Sequence, residues 1–523
     1  MKKPSRICTL DMETDPFAWG VVPEPFAIGF NDGEQYYEWW GDDCVIEFAR
    51  WLASYPEPCM IYAHNGGKFD FLYLFEYLEE DLFIINGRIV KGKIGIHELR
   101  DSYAILPMPL RAYNKETIDY SKMERHCRQE HMVEILTYLE SDCKYLLDLV
   151  VAFHDEFGDK LTVGSASNEQ LRRFHEYECM SESGDAEYRS YYFGGRNQCF
   201  KSGMVRGDYQ IYDVNSMYPF VMKTAMHPVS CAVNRSRDLN LKTDFAKIRA
   251  KNWGALPIRT KTGIDFTCEE GVFYATGHEI IAGLETGTLE IQEVLEAHSF
   301  TQRITFADFI DHFYEERLKA KKEGDKIHDI FYKFIMNSSY GKFAQNPENF
   351  KKSKLTCNLI LDVPWELKET RGKFMFWEKP APGGFRSYLN VATAASITGA
   401  ARALLLRGLA KADDPVYCDT DSIICKALNA PISDTELGAW KCEGKGDVIH
   451  IAGKKMYVVF DDGTAHKQAC KGVRLTAQQI VAVASGMEVE FANPVPKFGL
   501  LKEPRFTKRK IKATAKAKKF ARD

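Results

Sequence analysis

Two acidic segments far apart in the chain constrain it more than any other feature. One is Tyr417-Cys418-Asp419-Thr420-Asp421-Ser422; the other, about two hundred residues upstream, is Asp213-Val214-Asn215-Ser216-Met217-Tyr218-Pro219. Alone, Asp-Thr-Asp reads as a solvated turn. Two-metal phosphoryl transfer needs carboxylates from separate segments to hold two ions ~3.5–4 Å apart. Magnesium favours one or two carboxylates plus substrate phosphates, which suits such a sparse cluster. Asp213 and Asp421 are the expected ligands, with Asp419 auxiliary and the Val214 carbonyl assisting. The first segment should be a strand turning sharply into a helix, with amides around Ser216 exposed to triphosphate oxygens. In the second, Tyr417, Asp419 and Asp421 share strand parity, which brings the carboxylates together at a hairpin turn.

At 523 residues the chain exceeds one ordinary core, and 45% hydrophobic and 13% aromatic residues describe a folded protein. The longest apolar stretch, 391–410, carries Arg402 and Arg407 and reads as a buried helix, not a membrane span. Only residues 7–10 form an apolar run before Asp11, so no signal peptide is expected. Fourteen cysteines without a Cys-x-x-Cys pair argue against zinc and disulfides, and for a reducing compartment such as a bacterial cytoplasm. Net charge is −4, yet residues 505–523 hold nine Lys or Arg and one Asp, a balance of +8. Such a tail is either a frayed terminus or a phosphate-binding arm.

Three segments before residue 150 form a second constellation. Asp11 and Glu13 sit on one face of a strand, Asp70 follows His64-Asn65-Gly66-Gly67-Lys68-Phe69, and Tyr138 and Asp142 lie one turn apart on a helix with Leu136, Leu139, Leu146 and Leu149. Four carboxylates would hold two metals for attack of water on a terminal phosphodiester, with Tyr138 orienting the water. The order resembles the proofreading 3′–5′ exonuclease domains of family B DNA polymerases. The resemblance adds Lys115 as a phosphate-stabilising lysine and His64, Asn65, Phe69 and Ser102 as contacts to single-stranded DNA. His64–Asp70 is one residue longer than in the best-known phage member, and Tyr103 replaces leucine after Ser102.

Between the two constellations, Tyr191-Tyr192-Phe193-Gly194-Gly195-Arg196 offers adjacent glycines, stacking rings and a cation. Residues 306–322 and 327–339 read as two antiparallel helices, the second apolar along Ile327, Ile330, Phe331 and Phe334. Lys333, Asn337 and Tyr340 occupy a neighbouring arc, placing a point charge for triphosphate beside a ring for the nascent base pair. Lys333 to Gly341 resembles the fingers motif of family B polymerases, and Lys321 matches a second phosphate-binding lysine of the phage group. Asp329 stands where a basic residue occurs in the type member. Tyr192, Gly194, Gly195 and Arg196 match a Tyr-x-Gly-Gly linker that contacts template. Tyr218 would lie under the incoming sugar, leaving no room for a 2′-hydroxyl. Thr398 and Arg402 match residues near primer or template backbone. Lys455 and Tyr457, in Lys454-Lys455-Met456-Tyr457, resemble a Lys-x-Tyr motif contacting the primer terminus or incoming phosphates and the primer backbone.

Spanning residues 11 to 457, these motifs resemble the small protein-primed family B DNA polymerases of bacteriophages, the phi-twenty-nine type. The resemblance implies an α+β multidomain fold: an RNase H-like exonuclease domain (1–165), a linker (166–205), palm with a first insertion (206–305), helical fingers (306–345), a second insertion (346–390), palm (391–445), and palm end with a small thumb (446–523). It implies Mg2+, two per active site with Mn2+ able to substitute, and as partners primer-template DNA, dNTPs and a terminal protein as primer. A soluble monomeric viral protein in the host cytoplasm is expected, with no membrane partner. Three alternatives stay open: a family B polymerase using only nucleic-acid primers, a stand-alone 3′–5′ exonuclease with four acidic ligands, and a non-catalytic DNA-binding replication factor.

Overall fold

The computed structural model describes residues 6–113, 117–261, 263–360, 362–381, 387–518 and 520. In the N-terminal body, strands Arg6–Thr14, Cys59–Ala63 and His97–Asp101 run parallel, with Pro25–Asn31 and Tyr36–Trp40 added antiparallel beside Arg6–Thr14. Helix Met132–Phe157 packs across Arg6–Thr14 and Pro25–Asn31. Its apolar side is centred on Ile135, Leu139, Leu146 and Leu149, with Leu136 only half-buried, a small rotation from the expected stripe.

This sheet does not end with the N-terminal residues. Strand Asp81–Ile85 pairs with Lys351–Thr356, which carries Phe374–Pro380 and Glu366–Arg371 to make ten strands. The seam is short: Leu82 opposes Ser353 and Asp81 opposes Lys354. Glu80 reinforces it, accepting from the Leu355 amide (2.7 Å), the Thr356 hydroxyl (2.9 Å) and the Lys354 ammonium (2.7 Å). Leu355, Phe376 and the distant Leu501 complete the N-terminal core.

The central sheet has seven antiparallel strands in the order Thr464–Cys470, Met456–Asp461, Trp440–Gly453, Gly203–Val214, Ser422–Cys425, Tyr417–Asp419, Asn197–Cys199. The two acidic segments therefore sit on adjacent central strands. Helix Val391–Ala410 is buried at all but three of its twenty residues, as its apolar run anticipates. Small residues permit the close approach: a Cβ on Gly399 would come within 2.2 Å of the Thr276 hydroxyl. A four-stranded sheet (Val233–Ser236, Leu289–Phe300, Phe245–Asn252, Glu270–Thr276) and helix Gly277–Glu285 lie within the span expected for a first insertion.

Helices Ala307–Glu323 and Lys326–Phe343 form the expected antiparallel pair. Gly324, at φ 77°, ends the first, and the Asp325 carboxylate caps the second by accepting from the Ile327 and His328 amides. The second buries Phe331, Ile335, Met336 and Phe343, while Ile327, Ile330 and Phe334 stay half-buried, so its inner face is rotated from the expected one. At the C-terminus, strands Val489–Ala492 and Lys508–Ile511 form a hairpin in which Lys508 pairs with Glu490 and Lys510 and Lys512 pair with Glu488. All fourteen cysteines carry free thiols, and among the described residues no helix is long and apolar enough to cross a membrane.

Candidate active sites

Gly203–Val214 ends at the first acidic segment. Asp213 lies opposite Ser422 on one side and opposite Lys441 on the other. The Val214 amide donates to the Asp421 carbonyl at 2.9 Å, fastening the Asp-Thr-Asp turn to the strand. Thr420 adopts φ 57°, and the Asp421 amide donates back to the Asp419 carbonyl at 2.6 Å. Ser216, also left-handed at φ 52°, makes the sharp turn into helix Met217–Thr224. Strand, turn and helix thus follow the expected order.

Burial, then the Asp421 charge, then Glu443, push the Asp213 carboxyl up to about 7. Asp421 is raised by burial, by Asp419 and by Glu443, against the opposing effect of Lys455. Asp421 raises Asp213, and Glu443 raises both, so three carboxylates share one neighbourhood, the electrostatic condition of a cation site. Glu443, a third carboxylate here, and Lys441 escaped sequence reasoning; Lys441 stands opposite Asp213 on the neighbouring strand, and Glu443 lies at the register shift two residues on.

Lys455, expected at a primer terminus or phosphates, pairs with Asp419. Its ammonium lies 2.8 and 2.6 Å from the two carboxylate oxygens. Its backbone sits at φ 55°, with its N–H donating a hydrogen bond to the Tyr417 hydroxyl at 2.9 Å, and the Tyr417 ring packs 4.8 Å from that of Tyr457. Asp419 therefore balances a cation, while the Asp421 charge acts on Asp213.

On the adjoining side, Tyr218 and Tyr340 stack with ring centroids 4.2 Å apart and planes 10° from parallel. Tyr192 is close enough to both to influence their hydroxyls. Lys333 is exposed; Asn337 spends its amide on the Lys333 carbonyl of its own helix at 2.7 Å. Burial, then Arg317, Lys333 and Lys441, lower the Lys321 ammonium, and Lys467 and Lys333 act on Asp213 to favour its charge. The Asp329 carboxylate is neutralised by Arg317 at 2.6 Å, removing the repulsion that its position suggested.

Several residues expected on DNA are structural. Arg196 is 1% exposed: its guanidinium donates to the Gln198 side chain and the Gly254 carbonyl, too deep to reach phosphate. Arg402 forms a buried ion pair with Glu279 at 2.7 Å and donates to the Phe193 and Gly194 carbonyls. Thr398 is buried and bonds the Ala395 carbonyl. Gly195 backs onto Thr420, where a Cβ would approach to 2.7 Å, whereas Gly194 is exposed.

In the N-terminal body, carboxylate oxygens of Asp11, Glu13 and Asp142 lie within 4.8 Å of one another. Asp70 is buried beside them, raised well above the usual carboxylate range by burial and by Asp11, with the Met12 amide stabilising its charge. This all-oxygen donor set suits a hard divalent cation. Tyr138, hydrogen-bonded to Tyr120, senses Asp142 and Glu13 and is raised chiefly by burial. Asn65 sits at φ 65° with its side-chain oxygen accepting from Arg88, which pairs with Asp101 and stacks on Tyr103. Arg88 and Asp101 were not anticipated. Ser102 is fully buried, bonding the His64 ring at 3.0 Å, so it positions His64 and does not face DNA. Phe69 is half-buried against Phe17, Tyr73 and Phe498. Lys115 lies outside the described residues. Another group, Glu187, Glu296 and His298, also clusters, but the Arg235 guanidinium bonds both glutamates.

Residues 109–358 match the family described as DNA polymerase type B, organellar and viral. Over 544 aligned positions the chain is 44% identical to the DNA-directed DNA polymerase of Enterobacteria phage PRD1, spanning 97% of this chain and 98% of that protein. The chain belongs to the type B DNA polymerases. It is a DNA-directed DNA polymerase with 3′–5′ exonuclease activity, of the protein-primed phage type that replicates viral DNA. The DNA polymerase of Bacillus phage phi29 is 24% identical over 503 residues, covering 83% of each chain. The fold is similar to that of phi29 DNA polymerase complexed with primer-template DNA, with a TM-score of 0.73 and 19% identity over 98% of this chain and all of that one. The architecture is an exonuclease body followed by a right-hand polymerase, and a polymerase of this family uses divalent metal.

Proposed function

We propose that Asp213 and Asp421 are the metal-binding carboxylates of polymerisation and that Asp11, Glu13, Asp70 and Asp142 are those of proofreading, with Mg2+ in both and Mn2+ able to replace it. The observation that carries the first assignment is the fastening of the Asp421 turn to the Asp213 strand, through the Asp213–Ser422 register and the Val214 amide, with the Asp421 charge raising the Asp213 carboxyl. Bound there, divalent ions supply charge stabilisation to the attacking and leaving oxygens. Asp213 at a strand end and Asp421 in the neighbouring turn would hold them, while Lys321, Lys333 and Lys441 present positive charge to the triphosphate. The Tyr218–Tyr340 stack floors the sugar and base, which favours a deoxyribonucleotide. Lys455, pivoting from Asp419, offers a cation to the primer terminus or phosphates. Phosphodiester formation then joins the primer 3′-oxygen to the α-phosphorus and releases pyrophosphate.

In the exonuclease body, Tyr138 orients the attacking water, His64, Asn65 and Phe69 receive the frayed strand, and Lys115 steadies phosphate charge. DNA and dNTPs are the substrates, in line with the phi29 DNA polymerase structure described with primer-template DNA and incoming nucleotide substrates. A terminal protein supplies the first priming hydroxyl, with the two insertions as its docking region. The enzyme acts as a monomer in the host cytoplasm. Primer extension with Mg2+ and four dNTPs, on matched and 3′-mismatched primers, tests the reading. Extension with mismatch removal is expected; no extension by folded protein refutes it. A purified cognate terminal protein that never accepts a first nucleotide would refute protein priming alone.

A further inference from the structure

The basic C-terminal segment does not trail into solvent. After strand Lys508–Ile511 it recrosses the central sheet, the Thr514 and Ala515 amides donating to the Ala452 carbonyl at 2.7 and 3.0 Å. The Lys518 amide reaches the Cys199 carbonyl at 3.4 Å, and its ammonium bonds the Thr267 carbonyl (2.8 Å) and Glu269 (2.7 Å). Three separate elements are stitched by one extended strand of chain. It delivers Phe520 to the Arg196 guanidinium, whose central carbon lies 5.4 Å from the Phe520 ring centroid, 4.6 Å from Phe266 and 5.8 Å from Phe200.

Arg196 is an unusual buried cation. Among the described residues no carboxylate pairs with it; the Gln198 oxygen, the Gly254 carbonyl and the three rings surround it. Burying a charge in this way is costly unless dipoles and π faces replace the lost water. The arrangement has a direct link to the reaction. The Arg196 carbonyl accepts the Thr420 amide at 2.6 Å, and Gly195 packs flush against the Thr420 side chain. Thr420 is the left-handed residue between Asp419 and Asp421.

We infer that Phe520 is a positioning residue for DNA synthesis: by closing the ring cage on Arg196 it holds the strand that fixes the Asp419-Thr420-Asp421 turn. The inference rests on the assignment of Asp421 to polymerisation. It gives the tail a role distinct from gripping phosphate, even though the tail is strongly basic.

The test uses full-length enzyme carrying Phe520→Ala or Phe520→Tyr, with Asp421→Asn as a control. Loosening a catalytic geometry from a distance costs up to roughly 100-fold, so Phe520→Ala should lower kcat for extension roughly 10- to 100-fold at saturating dNTP and primer-template. The Mg2+ concentration giving half-maximal extension should rise. Degradation of single-stranded DNA by the same preparation should be unchanged, because its carboxylates lie in another body. Phe520→Tyr, which keeps the ring, should restore synthesis. Unchanged kcat with weaker, more salt-sensitive DNA binding would make the tail a phosphate arm and overturn the inference. So would equal loss of synthesis and degradation in both variants. If Asp421→Asn itself retains extension, the underlying site assignment fails; if it abolishes extension while Phe520→Ala is silent, only this inference falls.

Discussion

Replacing Asp213 by asparagine should make the metal-free enzyme more stable while destroying synthesis. The Asp213 carboxyl, ordinarily near 3.8, is pushed up to about 7 by burial and by Asp421. A carboxyl raised on folding leaves the folded state holding a proton that the unfolded chain has released. Stability is therefore unaffected below pH 4, falls as pH rises from 4 to 7, and levels off above 7. At 1.36 kcal/mol per pH unit the full penalty is about 4 kcal/mol at pH 8 and about 1.5 kcal/mol at pH 5. Partial solvent access roughly halves both values. The substituted amide carries no charge and escapes the penalty. Thermal melting in EDTA at pH 8 should place Asp213→Asn about 2 kcal/mol, or roughly 4–8 °C, above wild type for the unit containing the site, with under half that gain at pH 5. Mg2+ should reverse the order, since a ligand at a hundredfold excess over its Kd stabilises by about 2.7 kcal/mol. The exonuclease cluster is common to both proteins and cancels. A mutant no more stable than wild type in EDTA at pH 8, or equally favoured at pH 5, would show that Asp213 is not held under charge strain.

Asp421→Asn should abolish primer extension and spare degradation of single-stranded DNA, whereas Asp11→Ala with Asp70→Ala should do the opposite; gel assays of both activities on each preparation decide this. Tyr218→Val should relax discrimination against ribonucleotides, read as the ratio of kcat/KM for dNTP over rNTP, because the flat Tyr218–Tyr340 stack no longer floors the sugar. Arg402→Ala leaves Glu279 charged and buried, so denaturant unfolding should show a loss of about 3–5 kcal/mol. Arg402→Ala with Glu279→Ala should lose less than the sum of the single changes.

The carboxylates were legible because each carries local context: Asp213 ends a strand before a helix, and Asp419 and Asp421 flank a turn residue. Their meeting needed only that Gly203–Val214 and Ser422–Cys425 be neighbours. The antiparallel helix pair was legible for a similar reason, since Gly324 favours a helix stop and Asp325 a helix start. Arg196, beside two glycines, and Arg402, one turn after Thr398, look like DNA contacts in sequence because a guanidinium reads the same whether it meets phosphate or carbonyls. What decides is Glu279, 123 residues from Arg402, and Gly254, 58 from Arg196. Lys441 and Glu443 lack any motif, their importance arising solely from register against Asp213 and its neighbours. No periodicity in 346–390 announces that Lys351–Thr356 will prolong a sheet begun at residue 6, because a strand edge does not encode its partner's address.

That shared sheet has a practical corollary. A fragment ending at residue 165 would keep all four proofreading carboxylates yet expose the backbone of Asp81–Ile85 and open the hydrophobic interior where Leu355, Phe376 and Leu501 now sit. Naked strand edges recruit other chains. Excised proofreading fragments should therefore precipitate or self-associate, while polymerases silenced by point substitution stay dispersed.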